Sequence, residues 1–241
     1  MGLKTINGIA VASIKTYNGV AANSVKTVNG ETWAHSPTVI GQAYGGGYYA
    51  GKIAVGGGGV ATHYLIVAPK SSGEAYGKKW GTYGATTDIT SVIAGPTNTT
   101  SLIALGADYE APIFCGTTCN ASGGIGGYTD WYMPAKNELA TLYFFLKPGT
   151  ASNYTGSGSN ANAVSPEPVS TSYSAGTPAQ TSATTFRTSA SSQEFVEDNY
   201  WTSTEANASY AWLQYFGGGN QDGNNKSYPF FYVRAVRRIA I

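Results

Sequence analysis

Gly126-Gly127-Tyr128-Thr129-Asp130-Trp131-Tyr132-Met133-Pro134-Ala135-Lys136-Asn137-Glu138-Leu139 is the stretch on which the reading of the fold turns. Pro134 suits the first position of a helix, where its missing N–H would have no partner anyway. Leu139, Leu142, Tyr143 and Leu146 then fall on one helical face, and Pro148-Gly149 stops the helix. Around it, the chain from Ser36 onward is rich in β-prone runs and loops. His63-Tyr64-Leu65-Ile66-Val67-Ala68 reads as a buried strand ending at Pro69, and residues 98–105 as a second, short helix. Gly45-Gly46-Gly47 and Gly56-Gly57-Gly58-Gly59 read as loops. Neither is a phosphate loop, since neither ends in Gly-Lys-Ser/Thr or opens a helix with the dinucleotide fingerprint. The fold class expected is α+β.

The composition narrows the partners. Charged residues make up 11% of 241, well below the usual quarter, while Gly (32) and Tyr (18) are abundant, so solubility rests on neutral polar groups. Such surfaces resemble extracellular or virion proteins more than cytosolic enzymes. A net charge of +1, with one basic cluster at Arg234, Arg237 and Arg238, gives no field to attract a phosphate backbone or anionic lipid, so nucleic acid is not expected as a partner. No apolar run has the length of a signal peptide or a membrane span, and the expectation is assembly inside a cell and release by lysis, without membrane insertion.

Outward from the helix, two segments stand apart. Residues 1–35 carry an eleven-residue repeat: Lys4-Thr5-Ile6-Asn7-Gly8, Lys15-Thr16-Tyr17-Asn18-Gly19 and Lys26-Thr27-Val28-Asn29-Gly30. Asn-Gly between β-prone runs is the strongest short-range signal for a two-residue hairpin turn. So small a unit cannot bury its own apolar face, so Ile6, Ile9, Val11, Ile14, Val20 and Val25 need a partner surface. These repeats are read as a stem for attachment and oligomerisation, with a trimer among the forms considered, and residues 36–241 as the ligand-binding domain. Residues 150–192, rich in Ser, Thr, Ala, Asn and Pro, read as a long surface insertion unable to make a core of its own.

The carboxyl-terminal segment is the candidate binding surface. Between residues 206 and 232 only Asp222 and Lys226 are charged, while Tyr210, Trp212, Tyr215, Phe216, Tyr228, Phe230, Phe231 and Tyr232 supply aromatic area. Rigid aromatics among small polar residues are paratope chemistry, because they give contact area at low entropic cost. Trp212 and Phe216 are expected in the core. Strand alternation would leave half of the run 228–232 outside.

The order of Ile40-Gly41-Gln42-Ala43-Tyr44-Gly45-Gly46-Gly47, Leu65-Ile66-Val67-Ala68-Pro69, Trp80-Gly81-Thr82-Tyr83-Gly84, the Gly126–Leu139 stretch, Tyr200-Trp201-Thr202-Ser203-Thr204-Glu205 and Val233-Arg234-Ala235-Val236-Arg237 resembles the C-type-lectin-like fold in its formylglycine-generating-enzyme branch. The resemblance covers residues 36–241. It implies a C-type-lectin-like domain with a Ser/Thr-rich insertion, often a binding module in phages and bacteria. The segment between the last two blocks is similar to the variable region of retroelement-diversified proteins of the phage major-tropism-determinant kind, in which varied Asn codons reach a limited set of residues. Ala206, Ser209, Tyr210, Leu213, Tyr215, Gly217, Gly218, Asp222, Gly223, Ser227, Tyr228, Pro229, Phe230, Phe231 and Tyr232 belong to that set and form the candidate ligand-binding residues. Trp212, Gln214, Gln221 and Lys226 do not, and would be the fixed frame.

What the resemblance implies for function is a phage tail-fibre or tail-tip protein on the virion surface, binding a protein or glycan receptor on the host cell, with other virion proteins meeting the stem. The alternatives are a structural fibre or collar decoration and an oxidase of the formylglycine-generating type. That enzyme uses a reactive Cys pair near its carboxyl-terminal strands, where this chain has none. Cys115-Gly116-Thr117-Thr118-Cys119 lies earlier and is read as a local disulfide or two free thiols. With His35 and His63 the only histidines, no closed zinc site and no Ser-His nucleophile is expected. Glu197 and Asp198 are read as solvated, Glu205 as a buried or rim group paired with Arg234 or Arg237, and Asp222-Gly223-Asn224-Asn225 as a Gly-rich turn or a faint calcium candidate. No catalytic residue, metal or cofactor is assigned.

Overall fold

The computed structural model describes residues 36–188 and 192–241 and, in the repeat segment, residues 5–6, 9–10, 16–18, 20–21, 27–28 and 31–32. Each repeat is a small antiparallel hairpin: β1 (Thr5–Ile6) with β2 (Ile9–Ala10), β3 (Thr16–Tyr17) with β4 (Val20–Ala21), and β5 (Thr27–Val28) with β6 (Glu31–Thr32). The strands of each pair lie two residues apart, as the Asn-Gly spacing predicts. Asn18 has φ 48°, the positive value such turns require and Asn tolerates. Of the apolar residues needing a partner, Val11, Ile14 and Val25 lie outside the described residues, as does His35.

The remaining architecture is mixed α+β. In chain order come β7 (Ala43–Tyr44), β8 (Gly47–Ile53), β9 (His63–Val67), α1 (Lys70–Gly73), β10 (Glu74–Tyr76), α2 (Gly95–Ala104), α3 (Glu110–Gly116), α4 (Lys136–Leu146), β11 (Asn199–Glu205), β12 (Tyr210–Tyr215), β13 (Gln221–Asn225), β14 (Tyr232–Arg234) and β15 (Val236–Ala240). One sheet has the order β10-β14-β11-β12-β13, the other β15-β9-β8-β7. The chain changes sheet at the single residue Ala235, whose N–H donates to Gly73 and whose carbonyl accepts from Ala68. Three arginines on this run each grip a different part of the fold: Arg234 reaches Glu74 (3.6 Å), Arg237 forks onto Asp130 (2.6 and 2.9 Å), and Arg238 meets Glu138 (2.6 Å).

The five-stranded sheet separates two apolar clusters. Trp201, Leu213, Phe231 and Val233 pack with Trp80 and Trp131 on one side. Tyr200 and Phe216 pack on the other with Leu139, Leu142, Tyr143 and Leu146 of α4, the four residues the helical spacing aligned. The helix starts two residues after Pro134 because the Pro134 carbonyl is taken by the Ser203 N–H of β11 (2.8 Å). Glu138 then caps the first turn by accepting from the Ala135 N–H (2.7 Å). The short helix expected at 98–105 begins earlier, at Gly95, with Pro96 in its first turn.

Residues 150–192 depart most from expectation. The described residues of this stretch, 150–188 and 192, form almost no regular structure, yet they are docked rather than splayed, with Asn153, Ser157, Asn160, Asn162, Glu167 and Thr181 buried. Tyr173, Ala183 and Phe186 join the apolar cluster of α4, and side-chain amides supply the remaining contacts. Asn162 donates to the Ala54 carbonyl (2.7 Å) and accepts from Asn137 of α4 (2.7 Å), while the buried Lys147 donates to Asn153 Oδ1 (2.7 Å) and to the Ala151 and Pro178 carbonyls. Satisfied networks of this kind specify one arrangement where hydrophobic burial is scarce.

Candidate functional site

The candidate residues occupy β12, β13 and the connections around them. β12 pairs β13 in unbroken register, Tyr210 opposite Asn225 through Gln214 opposite Gln221. The segment expected as a turn, Asp222-Gly223-Asn224-Asn225, is therefore strand, imposed by its partner.

Accessibility divides the candidates. Tyr210, Tyr215, Tyr228 and Phe230 are exposed at 43, 37, 44 and 52%, and Asp222 is exposed at the sheet edge. Ala206, Ser209, Gly218, Gly223, Ser227, Pro229 and Tyr232 are half-buried. Three depart from the expected role. Leu213 and Phe231 are buried in the Trp201 cluster, Phe231 edge-on to Trp201 at 4.9 Å, and Gly217 lies buried against the Tyr215 ring. Alternation along β12 turns Leu213 inward, and residue 231 turns inward just as residues 228 and 230 turn out.

The exposed residues do not form one face. Tyr210 and Tyr215 are five apart on a regular strand, so they point to opposite sides of the sheet and sit about 17 Å apart along it. At one pole, Gly223 lies beneath Tyr210 and Ala206, and the Lys226 N–H holds the Ser209 carbonyl (3.1 Å). That bond brings in the next turn, where Tyr228 packs on Phe230 (ring centroids 4.9 Å) and Phe231 (5.4 Å). At the other pole, Tyr215, Gly217 and Gly218 adjoin the docked segment, the Tyr154 N–H donating to the Gly218 carbonyl (2.7 Å). Gly219 closes this turn with φ +78°, where a Cβ would meet the Tyr143 ring at 2.5 Å.

The frame residues also sort. Gln214 and Lys226 are buried and Gln221 is half-buried, whereas Trp212 is half-exposed rather than core, with the Lys136 ammonium 3.7 Å over its ring. Phe216 is buried as expected. The most consequential frame contact is Lys226 with Glu205, a buried ion pair, so Glu205 is not the partner of Arg234 or Arg237. Lys226 also donates to the Ala85 carbonyl (2.7 Å) and lies 5.0 Å from the Trp80 ring centroid. Glu205 accepts the Thr87 and Asp88 N–H groups (2.9 and 2.8 Å). Burial would push its carboxyl up, but the Lys226 ammonium and the backbone N–H bonds outweigh this and hold it below the usual value. Fixed acid and base thus clamp the loop before α2 to the candidate segment.

Sequence reasoning missed Tyr76, on β10 opposite Tyr232 of β14, exposed at 54% with its ring 4.8 Å from that of Tyr232. Its alternation with Ala75 was visible, but its strand neighbour was not.

Cys115 and Cys119 are buried free thiols in the Trp80–Trp201 cluster, not the local disulfide. Cys115 belongs to α3 while Cys119 lies in the following 3₁₀ turn, its thiol directed at the Ser72 carbonyl (3.9 Å). Burial pushes both thiols up, Cys119 to about 12, so thiolate is scarce at neutral pH.

A family model described as the Lcl C-terminal domain matches residues 98–237, from within α2 through the first residues of β15. No curated protein and no solved structure matches the chain.

Proposed function

The chain belongs to the Lcl C-terminal domain family, and from that premise we propose that it is a receptor-binding adhesin of a phage particle. The observation that carries this reading is the packed pair of exposed aromatics, Tyr228 and Phe230, which follows the buried Lys226–Glu205 pair and sits on the Trp201 core through Phe231, with Tyr210 exposed on neighbouring β12. Exposed aromatic area on a rigid base binds at little conformational cost. The domain is read as C-type-lectin-like, with Tyr76 and Tyr232 extending the recognition face, and the partner as a protein or glycan on the host surface. Segment 206–232 is read as diversifiable, with Leu213, Gly217 and Phe231 serving packing instead. The buried, protonated thiols favour a binding role over thiol-oxidase chemistry.

Tyr228→Ala and Phe230→Ala should each weaken adhesion about thirtyfold, equivalent to ~2 kcal/mol, while costing under about 1 kcal/mol of stability. Binding to a panel of bacterial cells and an immobilised glycan array measures it. Variants that bind every parental target as the parent does would leave the face without its role and favour a structural decoration.

The repeats are read as an oligomerising stem meeting other virion proteins. Removing residues 1–35 should leave a folded domain of smaller assembly size by light scattering. An unchanged assembly state would take the stem out of the account.

A further inference from the structure

Glu167 is the described carboxylate most enclosed by neutral groups. It is buried in the docked segment, Oε1 accepting from Asn160 Nδ2 (2.9 Å) and Oε2 lying 2.8 Å from Thr141 Oγ1 of α4. The salt bridges among the described residues all lie elsewhere. A buried carboxylate without a cation is a strongly disfavoured state. The neutral acid fits these contacts: its O–H donates to Thr141 Oγ1, whose own O–H donates to the Asn137 carbonyl (3.2 Å). Asn160 also donates to that carbonyl (3.0 Å), and its Oδ1 accepts from the Asn162 N–H (2.9 Å). Glu167 therefore joins Asn160 of the segment to Thr141 of α4, beside the apolar contacts of Tyr173 and Phe186 that also hold residues 150–188 there.

The same segment reaches the β12–β13 turn that carries the candidates Tyr215, Gly217 and Gly218, the pole away from Tyr228 and Phe230. Besides Tyr154 on Gly218, Ser157 Oγ accepts from the Gln221 N–H (2.9 Å), and the Gly158 N–H reaches Gln221 Oε1 (3.3 Å). Whatever loosens 150–192 frees the β12–β13 turn.

We propose that Glu167 is a proton-operated latch: as the neutral acid it closes residues 150–188 onto α4 and clamps the β12–β13 turn, and on ionising it releases both. The proposal rests on the recognition reading for its purpose, though its physical test does not. The groups around the latch leave it uncompensated. Tyr173 of the same segment, with Tyr143 beyond it on α4, contributes only phenols whose ionisation burial suppresses. Lys147, just past the end of α4, is committed to Asn153 and two carbonyls, with Glu197 the acid that acts on it. On the β8–β9 side, past Ala54, stands His63, whose pKa is lowered by burial and then by Arg238. Burial pushes the Glu167 carboxyl up to about 7, against the opposing bonds from Asn160 and Thr141. A raised carboxyl favours the fold below the unfolded value of 4.5, and the advantage is lost as pH climbs from there through about 7.

Hydrogen exchange of the full chain at pH 5.5 and 8.5, corrected for intrinsic exchange rates, tests the latch. Peptides covering 150–192 and 215–221 should lose protection at least tenfold at the higher pH, while those of α4 and β9 hold. Glu167→Gln, a neutral isostere that retains His63 and every other acid, should abolish the pH dependence. Equal protection at both pH values in the parent, or the same loss in Glu167→Gln, would overturn the latch. Should that variant fold poorly, protease cleavage within 150–192 of the parent from pH 5 to 9 decides: a midpoint near 7 upholds the proposal, and a flat profile ends it. A latch that works beside a face that binds nothing would sink the recognition reading alone.

Discussion

Lys226→Met should lower the stability of the folded chain by about 3–5 kcal/mol, because it leaves the Glu205 carboxylate buried without its cation. Two backbone N–H bonds from Thr87 and Asp88 remain, so the lower half of that range is the better expectation. Pairing the change with Glu205→Gln should recover much of the loss, since the cost is that of an unpaired charge. The sign with pH is fixed: Glu205 is held below its ordinary value, so its contribution is complete above about 4.5 and drains away as acid protonates it. Urea denaturation at pH 7 and pH 4 measures both effects. A single variant within 1 kcal/mol of the parent would mean that the pair does not hold the loop before α2 to the recognition segment.

Trp201→Ala and Phe231→Ala should each cost about 3–5 kcal/mol, since both side chains fill the same buried cluster and pack edge-on. Phe230→Ala, one residue away and turned outward, should cost under about 1 kcal/mol. The contrast between adjacent phenylalanines is the sharper test, because it asks whether the alternation through 228–232 holds in solution. Equal losses at 230 and 231 would refute the division between recognition and packing residues, and with it the claim that position 231 cannot vary freely.

What was legible in the sequence followed repeating chemistry. Leu139, Leu142, Tyr143 and Leu146 announce α4 because helical spacing and burial coincide, and the Asn-Gly repeats announce hairpins because turn geometry is local. Four features lay beyond such rules. The partner of Glu205 is 21 residues away across a sheet, and nothing in the order of charges distinguishes Lys226 from the arginines. Gln221 to Asn225 has turn-like composition and becomes a strand only because β12 lies beside it. Residues 150–188 dock through amides of Asn153, Asn160 and Asn162 and through the isolated apolar residues Tyr173 and Phe186, which leave no periodicity to read. Trp212 resembled core by its size, while its place on the outer side of β12 depends on α4 presenting Lys136.

The change of sheet at Ala235 has a consequence for length as well as for identity. With β14 and β15 tied by Arg234, Arg237 and Arg238 to β10, Asp130 and α4, the far end of the recognition segment is fixed by the scaffold, and β11 fixes the near end. The connection between β13 and β14 then behaves as a loop closed by its supports. Closure entropy grows only logarithmically, so doubling such a connection adds about 0.6 kcal/mol. The scaffold can therefore carry longer or shorter stretches between the anchored residues Lys226 and Phe231 at little thermodynamic cost, a freedom of reach that exchanging side chains alone would not provide.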